Sequence, residues 1–144
     1  MGKLARASLL ASALALVAAG AAAQTTITRA VTAMPGKALR LAVAPSLLKD
    51  CSAGPVPEIR ILTPPRNGSL ITRGGKLKTP STYRCPNVDT EVQAVFYQAN
   101  PRYAGPDEVA FEIKASDGSL QRFTIKITVG DRPARPSRDG TVDL

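Results

Sequence analysis

Five basic residues, Arg66, Arg73, Lys76, Lys78 and Arg84, fall within nineteen positions of a 144-residue chain. Guanidinium and ammonium groups gathered this densely can hold phosphate or carboxylate groups, so the first chemistry they suggest is polyanion binding. Gly74-Gly75, between Arg73 and Lys76, predicts a tight basic tip. The competing reading is that these charges are solvated and keep edge strands from pairing with other chains. Bond-breaking chemistry has fewer candidates. The chain contains no His, which removes the usual general base of Ser and Cys hydrolases and the commonest transition-metal ligand. An enzyme would have to use carboxylates, as glycosidases do. Of Glu58, Asp89, Glu91, Asp107, Glu108 and Glu112, none stands at a spacing that implies a catalytic pair. Aromatic residues make up 4% of the chain and Trp is absent, so no stacking platform for sugars or bases is evident. A Gly-rich phosphate loop of the strand-to-helix kind is missing too.

The two cysteines, Cys51 and Cys85, are read together with the start of the chain. Residues 1–23 read as a secretory signal peptide. Lys3 and Arg6 form the positive start, Leu9 to Val17 the apolar centre, and Ala21-Ala22-Ala23 the small-residue cleavage site before Gln24. A membrane anchor is the alternative, but the apolar run is shorter than the roughly 20 residues a bilayer requires. No later apolar run is expected to hold the mature chain in a membrane. In an oxidising compartment an even cysteine count is most simply one disulfide, Cys51 to Cys85. A redox-active pair would usually show the closer C-x-x-C spacing. Removing residues 1–23 takes Lys3 and Arg6 from the 19 Lys+Arg and nothing from the 11 Asp+Glu, so 17 basic against 11 acidic residues leave a net charge of +6. That balance points to anionic partners of the cell envelope or serves solubility alone, and export argues against nucleic acid.

Short β-favouring runs separated by Pro and Gly must position these groups. Thr25–Thr32, Lys37–Val43, Glu58–Leu62, Ser69–Thr72, Val92–Ala99, Glu108–Ser116 and Leu120–Val129 make seven predicted strands, and no stretch has helical period. In the last two, Val109, Phe111 and Ile113, and then Phe123, Ile125, Ile127 and Val129, alternate with polar residues, so each strand has one buried face. Asp117-Gly118 between them supplies the positive backbone angles of a tight hairpin. Ser46–Pro57 and Thr79–Glu91, each carrying one Cys, read as long loops that a disulfide would tie together. Asn67-Gly68-Ser69 is formally a glycosylation sequon, although the same residues suit a turn. Residues 131–144 have the composition of a disordered basic tail.

Two motifs carry a resemblance. Tyr97, Asn100-Pro101, Tyr103, Gly105, Asp107, Phe111 and Asp117-Gly118, preceded by Thr63-Pro64-Pro65-Arg66-Asn67-Gly68-Ser69-Leu70, resemble the signature of bacterial cadherin-like and immunoglobulin-like repeat domains. The resemblance spans about half of the mature chain. It implies an all-β immunoglobulin-like (cadherin-like) antiparallel sandwich of about seven strands over residues 24–130, with Asp107 in a turn. Family members often place several acidic residues in the loop after the second strand, where calcium can bind. Here that loop offers only Asp50, beside Lys49, so neither calcium nor another cofactor is expected. One copy is present where the family usually forms arrays, and Thr79–Glu91 reads as an insertion.

The expectation is therefore an exported protein, periplasmic or secreted, that acts by binding. It would engage another envelope protein through an edge strand or the inserted loop. The alternative is a basic module on an anionic envelope polymer, and a carbohydrate-active enzyme is the remote third reading.

Overall fold

A computed structural model of the chain describes residues 24–130. Residues 1–23, read above as a signal peptide, and residues 131–144, read as a tail, lie outside the described residues. Seven strands follow in order: β1 (Gln24–Ala33), β2 (Ala38–Pro45), β3 (Glu58–Thr63), β4 (Gly68–Lys78), β5 (Asp89–Ala99), β6 (Gly105–Lys114) and β7 (Leu120–Val129). They form a β-sandwich of two sheets, one in the order β1-β7-β6-β3 and the other β2-β5-β4. No helix occurs among the described residues. The all-β reading is correct.

Alternation of apolar residues builds the core. Val109, Phe111 and Ile113 from β6, with Phe123, Ile125, Ile127 and Val129 from β7, are all buried. Phe111 and Phe123 face each other across the β6–β7 pair with ring centroids 5.0 Å apart. The second sheet contributes Leu41, Val95, Tyr97 and Ala99 to the same cluster. β5 is the central strand of its sheet, and at the alternate positions Val92 and Ala94 are buried as well. This explains why it reads as apolar on both faces. The first strand pairs in parallel with the last, Gln24 opposite Leu120 through Ala33 opposite Val129. All other pairings are antiparallel.

Four local readings need correction. The β4 strand does not stop at Thr72 but continues to Lys78, in unbroken register with β5 from Gly68–Ala99 to Lys78–Asp89. Gly74 and Gly75 therefore lie inside a strand, opposite Gln93 and Val92, and form no basic tip. Glycine is merely unfavourable in a strand, and the ladder to the central strand overrides that preference. The loop after β4 is accordingly shorter than read, because Asp89–Glu91 already belong to β5. The β6–β7 connection holds five residues, with Gly118 at φ +83° and Asp117 on the ordinary side of φ. Asp117 instead accepts hydrogen bonds from the Ser119 N–H (3.0 Å) and hydroxyl (2.6 Å).

Candidate functional site

The two cysteine-bearing loops meet at one end of the sandwich. Cys51 and Cys85 are disulfide-bonded, with Cα atoms 5.5 Å apart, and no free cysteine remains. The link joins the β2–β3 loop to the β4–β5 loop. Inside the latter, the buried Thr79 hydroxyl donates to the Cys85 carbonyl and accepts from the Val88 N–H (2.8 Å). Asn87 takes a positive φ of 56° and gives its N–H to the Thr79 carbonyl. Nothing in sequence spacing marks Thr79 as the organiser of this loop.

The five basic residues do not converge. Arg66 precedes β4 and Lys78 ends it, and eleven residues of strand span about 33 Å. Arg84 is committed to structure: its guanidinium donates to the carbonyls of Leu47 (3.2 Å), Leu48 (2.9 Å) and Lys49 (3.3 Å) and lies over the Tyr83 ring. It ties the same two loops that the disulfide joins. Arg73, Lys76 and Lys78 remain together on β4. Arg73 stands over Phe96 at 5.7 Å from the ring centre. Lys78 meets Asp89 at 3.8 Å, but both side chains are largely exposed (61% and 81%), so the pair is held weakly.

β4 is an edge strand, and its free edge can be assigned atom by atom. In β5, the Glu91 and Ala99 carbonyls accept from Ser46 and Gly36 on the β2 side, so the odd-numbered residues of β5 turn their polar backbone toward β2. The even-numbered ones turn toward β4, because backbone groups alternate along an antiparallel strand. Ser69, Ile71, Arg73, Gly75 and Leu77, their register partners, therefore bond to β5. Leu70, Thr72, Gly74, Lys76 and Lys78 direct N–H and C=O away from the sheet, where no strand pairs with them among the described residues. Thr72, Arg73, Gly74, Gly75 and Lys76 are exposed in succession, so both faces of this stretch are open.

At the other end of β4, Asp107 organises the corner where the β3–β4 loop meets β6. Its carboxylate accepts from the Arg66 and Asn67 N–H groups (3.0 Å each), the Tyr97 hydroxyl (2.8 Å) and the Glu108 N–H (2.9 Å). Burial alone would raise its pKa, but these donors outweigh burial and hold the carboxyl below the usual carboxylate range. Burial and the adjacent carboxylate both push the Tyr97 hydroxyl up. Asp107 lies within β6 rather than in a turn. Gly105, at φ +138°, makes the corner before it, Tyr103 donates its hydroxyl to the Pro106 carbonyl, and Asn100 gives its N–H to the Asn67 carbonyl. Pro101 packs under the β1–β2 turn at Gly36.

The remaining carboxylates are scattered. Glu112 bonds Gln24 and Arg122, Asp89 meets Lys78, and Glu58 and Glu108 lie on strands opposite Lys114 and Lys126. Asp50 accepts from the Ser52 N–H and hydroxyl, which lower its pKa. A cleft of about 320 Å³ opens between the sheets beside Arg29, Ala44, Arg84 and Phe123. Two of its polar walls are engaged, since Arg29 donates to the Leu41 carbonyl at the β2 bulge and Arg84 to its three carbonyls.

The chain matches no family model, and no curated protein is significantly similar to it. What distinguishes the molecule must be read from its own surfaces. On β4, backbone groups unpaired among the described residues coincide with three basic side chains, Arg73, Lys76 and Lys78.

Proposed function

We propose that this protein is an exported, non-catalytic binding and assembly module of the cell envelope that engages another protein through strand β4. The observation that carries the proposal is the outward row of backbone groups at Leu70, Thr72, Gly74, Lys76 and Lys78 on a strand open on both faces. Such a row is a template for a strand from another chain. The strand order, with β2-β5-β4 against β7-β6-β3 and the first strand parallel to the last, supports an immunoglobulin-like or cadherin-like classification. A disulfide in the described residues, and the lack among them of a helix long and apolar enough to cross a membrane, are compatible with export. The inserted loop is the weaker contact surface, because its Thr79 and Cys85 are buried and Arg84 is bound to carbonyls.

The second reading, a basic module on an anionic envelope polymer, draws on Arg73, Lys76 and Lys78 sharing one exposed strand. One experiment separates the two. Immobilised protein is exposed to envelope extract at rising salt, beside a Thr72→Pro variant whose thermal melt shows it folded. Proline at Thr72 removes an outward N–H and leaves the bonds to β5 in place. Strand pairing predicts a defined protein captured at high salt by the parent chain and lost from the variant. Capture that is unchanged in the variant and disappears as salt rises overturns it in favour of the polymer.

A further inference from the structure

The backbone edge of β4 says that a strand can add, and its side chains say which strand. Between Gly68 and Lys78 the strand carries Arg73, Lys76 and Lys78 and no acidic residue. Two copies of β4 placed edge to edge would oppose three positive charges with three more, so self-pairing is disfavoured by the charges that a different partner would find attractive. Their faces are fixed by register. Lys76 and Lys78 lie opposite Glu91 and Asp89, on the side of the sheet that Tyr97 and Val95 share. Arg73 lies opposite Ala94, on the outer face.

The two glycines make a second mark. Neither Gly74 nor Gly75 has a positive φ. A Cβ at Gly75 would meet nothing nearer than Val92 Cγ2 at 4.0 Å, and one at Gly74 nothing nearer than the Gln93 amide at 3.4 Å. Within the described residues, then, neither backbone geometry nor crowding requires glycine at these positions. Glycine inside a strand often marks the close approach of another chain. Here it leaves a bare patch on each face, between Arg73 and Lys76, which large side chains of a neighbouring strand can cover.

We infer that β4 receives an extended acidic segment of another protein, with carboxylates opposite Lys78, Lys76 and Arg73 and bulky residues opposite Gly75 and Gly74. In antiparallel alignment the segment reads acidic, any, acidic, bulky, bulky, acidic. In parallel alignment it reads in reverse. This inference rests on the proposed strand pairing and adds the chemistry of the partner to it.

The test is fluorescence anisotropy with three synthetic ten-residue peptides, run in both directions of the pattern. The first carries Glu at the three acidic positions, Tyr at the two bulky ones and Thr or Val elsewhere. The second has Gln for each Glu, and the third has the first's composition scrambled. The protein is used as the parent chain, as Thr72→Pro, and as the triple variant Arg73→Ala, Lys76→Ala, Lys78→Ala. The expected result is that the patterned acidic peptide binds the parent about tenfold tighter than either control, the sum of three exposed charge pairs. Both variants should lose that advantage. Equal binding of the Gln peptide, sensitive to Thr72→Pro, overturns the acidic partner and leaves strand pairing standing. Equal binding of the scrambled peptide, indifferent to Thr72→Pro, overturns both in favour of polyanion binding. Binding of none of the three at millimolar peptide overturns the acidic pattern, and strand pairing is then judged by the envelope capture experiment. Sedimentation showing self-association that Thr72→Pro abolishes would assign the edge to a second copy and end the inference.

Discussion

Asp107 is the residue on which one whole end of the sandwich depends. Its carboxylate collects donors from the β3–β4 loop, from β5 and from β6, so it holds three separate stretches of chain to one point. Hydrogen bonds to an ionised acceptor contribute more than neutral ones, about 1.5–3 kcal/mol, and an amide presents an N–H to some of the same donors. Asp107→Asn is therefore expected to cost roughly 2–3 kcal/mol, a fall in Tm of about 10 °C by calorimetry. The pH dependence follows from the direction of the shift. A carboxyl whose pKa is lower in the folded state stabilises the fold fully above its unfolded pKa, about 3.9, and loses that contribution as pH falls through the folded value. The gap between parent and variant should thus be constant near neutrality and narrow below about pH 4. A gap that stays constant down to pH 2 would mean that the carboxylate's charge contributes nothing.

At the scale of the element, β4 carries the conflict between stability and use. Thr72 to Lys76 contribute little to the core, and the two glycines weaken a strand that β5 holds from one side only. Gly75→Thr places a β-branched residue where ordinary contact with Val92 is available. It should stabilise the protein by roughly 0.5–1 kcal/mol in urea unfolding, while lowering affinity for any strand that needs the bare patch. A destabilised variant would show that the glycine is a packing requirement. The β6–β7 hairpin was legible from sequence because period-two alternation and Asp117-Gly118 are local signals. The length of β4 was not, because Arg73 to Lys78 look like a turn until the ladder to Asp89–Ala94 is known. For the same reason the five basic residues do not all gather at one end, while Arg73, Lys76 and Lys78 stay together on β4. Proximity along the chain became distance along a straight strand, and Arg84 was drawn off by the carbonyls of a loop more than thirty residues away.

For the molecule as a whole, the disulfide governs how the two long loops share the cost of order. A cross-link with a sequence separation of 34 restricts the unfolded chain, by about 4 kcal/mol in the chain-entropy account. That is a large part of what a domain of this size has in total. The loops also carry their own fastening, in Arg84 to Leu47, Leu48 and Lys49, and in Thr79 to Cys85 and Val88. The core cluster, by contrast, draws on strands alone and contains neither cysteine. Cys51→Ala with Cys85→Ala should therefore lower stability by about 3–4 kcal/mol while the far-ultraviolet circular dichroism of the sandwich persists at low temperature. Hydrogen exchange should rise first at the N–H groups of position 51, Tyr83 and Asn87, which lie in the released loops, and least at Val95, Phe111 and Ile125 in the core. If the edge of β4 is the working surface, the variant should still bind at temperatures where it is folded, because Thr72 to Lys76 are held by β5 and not by the loops. Loss of binding in a folded, disulfide-free variant would move the function to the cysteine-bearing end.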